Sequence, residues 1–227
     1  MSKRFEEIDL VRGLALMVMI IFHLAFDAAF FLGLKIDVFS GYWQLIARFV
    51  QIVFMITTGI TVAFRSQKNV SSQFLHAGKI FLYAMLITFV TWILFKDQAV
   101  YFGILHFFAV AIVLAIPLVR FGGWNSLLGL AILFISYFFP FHGASSSVQP
   151  LDYFPLLPWF GVFLQGVAIG CVVYKKGERD PFVRGTSFVP QKIRELLRCM
   201  GRRSLLVYLI HQPILVGLIY LVRLFRS

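Results

Sequence analysis

The chain has 227 residues, of which 60% are hydrophobic and only 14% charged, and 27 of them are Phe. A soluble domain of this size cannot hide so much apolar surface, so the composition excludes one and predicts an all-α, polytopic membrane protein. The net charge of +11 does not point to nucleic acid, because Lys and Arg stand between hydrophobic runs, as in membrane-protein loops, and not along an amphipathic face.

A helix that crosses hydrocarbon needs about 20 mostly apolar residues. Seven such runs occur, at 9–32, 43–64, 79–95, 99–119, 124–140, 154–174 and 204–224. The first follows a basic Met1–Arg4 stretch but stays apolar through Phe31 with no small-residue cleavage site, which predicts a retained helix and not a signal peptide. The fourth and fifth are joined only by Arg120–Phe121–Gly122–Gly123, which predicts a tight helical hairpin. In the long 175–203 loop, Val189–Met200 sets Ile193, Leu196, Leu197 and Met200 opposite Lys192, Arg194, Glu195 and Arg198. That spacing predicts an interfacial helix with Pro190 near its start; a basic loop with topological duty alone is the alternative. With the N-terminus in the cytoplasm, sixteen of the 21 Lys and Arg fall on the cytoplasmic side, including the nine from Lys175 to Arg203. The positive-inside rule therefore predicts a cytoplasmic N-terminus and, with seven spans, an outside C-terminus. A six-span arrangement with a re-entrant segment is the alternative, and the whole chain is predicted to be one transmembrane domain.

Four ionisable residues interrupt the first run: Asp9, Arg12, His23 and Asp27. Their spacings of three, eleven and four place them on one helical stripe, which predicts a face turned into the bundle or a hydrated cavity. At about 1.5 Å per residue, His23 lies some 20 Å beyond Asp9, and Asp27 lies nearer the outer edge. A His with a carboxylate one turn away suits a general base with a fixed tautomer; packing against a neighbouring helix is the plainer alternative. Arg48, near Gln44 and Gln51, is positioned to pair with Asp27 or to hold an anionic or hydroxyl-rich substrate, unless it only snorkels. His106 lies at the predicted depth of His23. Asp152 opens the sixth run, where it binds substrate or caps that helix. His211 precedes Pro213 on the cytoplasmic side of the last run, where repair of a proline kink is the alternative to a site role. Arg12, Arg65, Arg202 and Arg203 form a basic cytoplasmic rim suited to a phosphorylated donor or to anionic lipid headgroups. Walker loops, dinucleotide fingerprints, HExxH and paired CxxC motifs are absent, which argues against an ATPase, a nicotinamide enzyme and the common zinc sites, so no metal is predicted. Cys171 and Cys199 lack metal-ligand spacing and are expected to stay reduced.

Five motifs in order carry a resemblance: Ile8–Ala15 (IDLVRGLA) followed by Phe22–His23, Ile56–Ile60 (ITTGI), Gly103–His106 (GILH), Asp152–Gly161 (DYFPLLPWFG) and Gly201–Pro213 (GRRSLLVYLIHQP). Together they resemble a branch of the heparan-α-glucosaminide N-acetyltransferase catalytic-domain family, within the wider membrane acyltransferase superfamily. The resemblance implies an enzyme that takes an acyl group, acetyl above all, from cytosolic acyl-CoA. It delivers the group to a hydroxyl or amine, often of a sugar, on the extracytoplasmic side of a bilayer. A bacterial or archaeal cytoplasmic (inner) membrane is the expected location. His23 occupies the position where the family's lysosomal enzyme has a catalytic asparagine, and no His lies between Leu24 and Thr58, where that enzyme's catalytic histidine follows. On this reading His23 is the base, Asp27 orients it, and His106 or Arg48 stabilises the oxyanion or positions the acceptor. Arg48 and Asp152 are the substrate-binding candidates; Arg12, Arg65, Arg202, Arg203 and His211 are the acyl-CoA candidates. A non-enzymatic transporter or accessory subunit is the competing reading of the polar stripe. A homodimer is compatible with the chain, although no GxxxG motif in a lipid-facing stripe demands one.

Overall fold

The computed structural model describes residues 5–66, 69–139, 152–174 and 190–225. Among these residues eight α-helices follow one another: α1 (Glu6–Leu32), α2 (Gly41–Ser66), α3 (Val70–Phe95), α4 (Ile104–Leu118), α5 (Asn125–Phe138), α6 (Leu156–Val173), α7 (Gln191–Arg202) and α8 (Ser204–Leu224). Apart from one isolated parallel bridge, Phe102 to Tyr153, the described residues are helices, turns and connections. Lys3, Arg4, Lys68, Arg226, the run Ala144–Ser147 and the basic residues of 175–189 lie outside the described residues.

Among the described residues six stretches are long and apolar enough to cross a membrane, and the fourth of them is Ile104–Phe138. That stretch turns back on itself. Gly122, at φ 56° and ψ −129°, breaks the 3₁₀ turn Val119–Trp124 in a conformation that favours glycine. The Asn125 amide donates to the carbonyls of Leu118 and Gly122, which satisfies these two backbone acceptors at the reversal. Side-chain pairings give the direction of each leg. Phe107 meets Phe163 and Val119 meets Cys171, so α4 runs parallel to α6, whereas Ser126 bonds Gln165 and Gly129 abuts Gly161, so α5 runs antiparallel to α6. The predicted hairpin is therefore present, with legs of 15 and 14 residues.

Two predicted starts move. The third helix begins at Val70 and not at 79, because the Asn69 side chain accepts the Ser72 N–H and caps the helix there. The fourth begins at Ile104 and not at 99, because residues 99–103 are drawn toward the 152–154 segment, where the Phe154 N–H donates to the Phe102 carbonyl at 2.9 Å.

The chain forms two compact units, Met1–Thr57 with Val183–Ser227, and Thr58–Phe182. In the second unit the core is apolar side chains of α4 and α6, with Phe107, Ile112, Phe163, Leu164 and Val167 fully buried. Most of α3 instead turns large apolar side chains outward, among them Leu82, Phe89 and Leu94, as a lipid-facing helix does.

In the first unit α7 is the element that organises the rest. It forms two residues later than the predicted 189–200, directly after Pro190. It runs antiparallel to α1, so that Gly13 meets the Leu197 carbonyl and Gly201 meets the Asp9 carbonyl, both too closely for any side chain between them. Around this contact Arg198 pairs with Glu6 at 2.8 Å and Arg202 with Asp9 at 3.4 Å. α8 then turns to run parallel to α1, as the pairs His23 with His211 and Phe31 with Tyr220 record.

Candidate functional site

The stripe predicted on α1 is turned toward protein within the first unit, each residue meeting a different neighbour. Asp9 is buried against α7, Arg12 donates to the Thr57 carbonyl of α2 at 2.9 Å, and His23 and Asp27 face α8. The basic residues assigned to a donor are consequently not equivalent. Arg202 is already paired with Asp9, so a phosphate would have to compete with a carboxylate, whereas Arg203 stands exposed at the turn into α8. Cys199 is exposed on α7, and Cys171 is buried in α6 with its thiol directed to the Val119 carbonyl.

His23 and Asp27 do not bond each other. The Nδ1 of His23 turns back one turn to the Met19 carbonyl at 2.9 Å. Asp27 is fully buried and accepts from Gln212 Nε2 at 2.8 Å. The correction has a simple cause: the carbonyl one turn earlier is within reach of an imidazole that points back along its own helix, while Asp27 meets α8. The Met19 carbonyl still performs the service expected of Asp27. A carbonyl only accepts, so Nδ1 carries the proton and Nε2 of the neutral ring holds a lone pair.

His211 is the second correction. Counting residues placed it in the cytoplasmic half of its span, well short of His23, yet the two ring centroids are 4.8 Å apart with planes at 76°. The reason is α7. By running back along α1 it hands the chain to α8, which runs parallel to α1 in the register that sets residue 211 beside 23 and residue 220 beside 31. His211 Nδ1 donates to the Tyr208 carbonyl at 2.6 Å, so this ring too keeps Nε2 unprotonated when neutral. Three acceptors on α1 and α8 are buried without hydrogen-bond partners: His211 Nε2, Asp27 Oδ2 and Gln212 Oε1. Gln212 was passed over in the sequence, although an amide inside a membrane span is itself a signal. Arg48 is exposed on α2 and donates to Gln51, one turn along the same helix, at 3.2 Å; the Asp27 carboxylate is bonded by Gln212 instead.

His106 and Asp152 belong to the second unit, where both serve the start of α4. His106 Nδ1 accepts the Gly103 N–H at 3.3 Å, and its Nε2 lies 3.3 Å from the Thr88 hydroxyl. The hydroxyl donates to the Val100 carbonyl at 2.6 Å, so it accepts from His106 Nε2–H, and both ring nitrogens are engaged. Asp152 Oδ2 accepts the Ile104 N–H at 3.2 Å, so this carboxylate caps α4 and not α6, which follows Pro155. Burial pushes the Asp152 carboxyl from 3.8 up to about 6, against the pull of the Ile104 N–H. The folded group holds its proton more tightly than the unfolded one, so its contribution to stability is full below about pH 4 and is lost as pH rises through about 6. Asp152→Asn keeps an acceptor for Ile104 and is expected to flatten this dependence, which thermal unfolding between pH 4 and 7 measures. Arg65 also lies in this unit, near the end of α2.

The family model described as heparan-alpha-glucosaminide N-acetyltransferase, catalytic, matches residues 4–213. The chain belongs to this family. The match takes in His23, Asp27, His106, Asp152 and His211, and membership points to a membrane acetyltransferase. No curated protein and no solved structure matches the chain. Among the described residues no group of three or more His, Cys, Asp or Glu could hold a metal ion.

Proposed function

We propose that this protein transfers an acyl group, acetyl in the first instance, from cytosolic acyl-CoA to a hydroxyl or amine on the extracytoplasmic side of its membrane, with a sugar as the acceptor class. The observation that carries this reading is His23 itself. Its Nδ1–H is tied to the Met19 carbonyl, its Nε2 is left as a base, and buried acceptors of Asp27 and Gln212 lie on the same pair of helices.

In this reading His23 Nε2 takes the proton of the acceptor as its oxygen or nitrogen attacks the thioester carbonyl, and the fully buried Asp27 supplies a compensating negative charge. The C–S bond breaks, and the proton passes to the departing thiolate. Arg48 holds the acceptor, and Arg12 and Arg203 engage the CoA phosphates. Arg202 spends its charge on Asp9, and His106 with Asp152 holds the start of α4.

The first test is binding. Acetyl-CoA is expected to raise the unfolding temperature of the detergent-solubilised protein saturably, by an amount equivalent to about 2.7 kcal/mol at a hundred times its Kd. Absence of a shift with acetyl-CoA, longer acyl-CoA thioesters and free CoA would remove the donor from this reading. Proton-driven flux in liposomes under the same conditions would replace it with a transporter.

A further inference from the structure

We propose that His23 and His211 act as one proton-accepting pair, in which His211 is a proton-relay partner of His23 and not a ligand of the acyl donor. The two rings belong to α1 and α8 of the same compact unit, their centroids are 4.8 Å apart, and their planes cross at 76°. Each ring has its Nδ1–H committed to a carbonyl of its own helix, Met19 for one and Tyr208 for the other. Each therefore offers only Nε2 for further chemistry, and in the neutral state neither Nε2 has a proton to give.

His211 Nε2 is buried with no hydrogen-bond partner, and the adjacent neutral His23 ring offers a second Nε2 acceptor and no donor. One added proton removes the mismatch: it converts one Nε2 into a donor and leaves the other to accept, while both backbone bonds persist. A second proton would set two cations side by side, which Coulomb repulsion at this separation opposes. The arrangement is suited to taking up one proton and no more. That is the demand placed on a base when an acceptor O–H or N–H loses its proton during acyl transfer.

The charged and titratable surroundings agree with this role. On α1 the fully buried Asp27 lies one turn beyond His23, and on α8 the Tyr208 ring is 5.5 Å from His211. Phe22 stands between His23 and Trp43 of α2, and the cation of that helix segment, Arg48, is exposed and bonded to Gln51. The α7 cations Arg198 and Arg202 are paired with Glu6 and Asp9 at the opposite end of α1. The carboxylate nearest in sequence to the pair is thus Asp27, the right sign of charge for a shared imidazolium.

The proton balance in the transfer step is closed. The acceptor heteroatom forms its bond to the acyl carbon, its proton moves onto the imidazole pair, the C–S bond breaks, and the pair returns the proton to the thiolate. The kinetic part of this inference rests on the acyltransferase reading; the protonation part does not.

Nitrogen-15 NMR of the histidines in bilayers, without any acyl donor, tests the pair directly. In the wild type the Nε2 signals of residues 23 and 211 are expected to move together over one pH interval, each with partial amplitude. Full single steps in both rings, on curves that His23→Asn and His211→Asn leave unchanged, would overturn the proposal. In each variant the asparagine amide can still donate to the Met19 or Tyr208 carbonyl, so the local backbone bond is kept while the base is lost. In acetyl transfer, His211→Asn is expected to lower kcat about 100-fold and leave KM for acetyl-CoA unchanged. A raised KM with unchanged kcat would return His211 to the donor site and overturn the relay. Failure of acetyl-CoA to bind would end the acyltransferase reading while leaving the NMR result to stand or fall alone.

Discussion

Alanine in place of Gly201 is expected to destabilise the protein by about 3 kcal/mol or more, at the upper end of overpacking costs. The new methyl would collide with the Asp9 carbonyl, a backbone atom that cannot rotate away, so α1 and α7 would have to separate. Gly13→Ala presses on the Leu197 carbonyl from the other side of the same contact and is expected to act alike. The two should be less than additive, since the first separation relieves the second clash. Gly217 is the control. It lies in α8 with nothing within 4 Å of an added methyl, so alanine there is expected to be neutral or to stabilise by up to about 1 kcal/mol. Thermal unfolding of the three variants in one detergent separates these outcomes, and equal shifts at 201 and 217 would refute the close packing of α7 on α1. Activity should follow stability in this series, because α7 sets where α8 begins and so places His211 beside His23.

His23→Asn is expected to cost between 100-fold and 10,000-fold in kcat for acetyl transfer, the range a positioned general base contributes. Stability should change little. The asparagine amide can take over the bond to Met19, and the apolar surroundings of the ring, with Phe22 at 5.6 Å, are not otherwise disturbed. That separation of activity from folding makes the asparagine a sharper probe than alanine, which would also strand the Met19 carbonyl. Wild-type turnover in folded His23→Asn protein would take the base away from His23.

Much of the architecture was legible in the residues because hydrocarbon imposes a length and a composition. The runs beginning at 9, 43 and 204 match α1, α2 and α8 closely, since an apolar stretch of that length has no other stable use. The Arg120–Gly123 break was also readable, because two glycines between apolar runs have few structural uses and reversal is the commonest. Residues 99–103 looked like part of a span because apolarity alone cannot separate a helix turn from an extended segment that pairs with a distant strand of chain. The start of α3 was missed for a similar reason: Asn69 supplies a cap whose effect does not register in a hydropathy pattern.

The site divides along the same line. Periodicity was enough to show that Asp9, Arg12, His23 and Asp27 share one face of α1, because a helix repeats every 3.6 residues whatever surrounds it. It was also enough to mark His211 as an unusual residue in an apolar run. Partners are a different matter, because they depend on which helices lie alongside and at what offset. The antiparallel docking of α7, set by two glycines 188 residues apart in sequence, carries Arg202 to Asp9 and starts α8 where His211 reaches His23 and Gln212 reaches Asp27. Likewise His106 and Asp152 looked like members of one outer cluster with His23 until the pairing of 102 with 153 gave both a task at the start of α4. The chain by itself determined the helices, their apolar faces and the polar stripe, since these follow from local spacing. The tertiary structure alone decided which polar group meets which, because close backbone approach at glycine and the register between helices are properties of pairs of elements and are not written in either one.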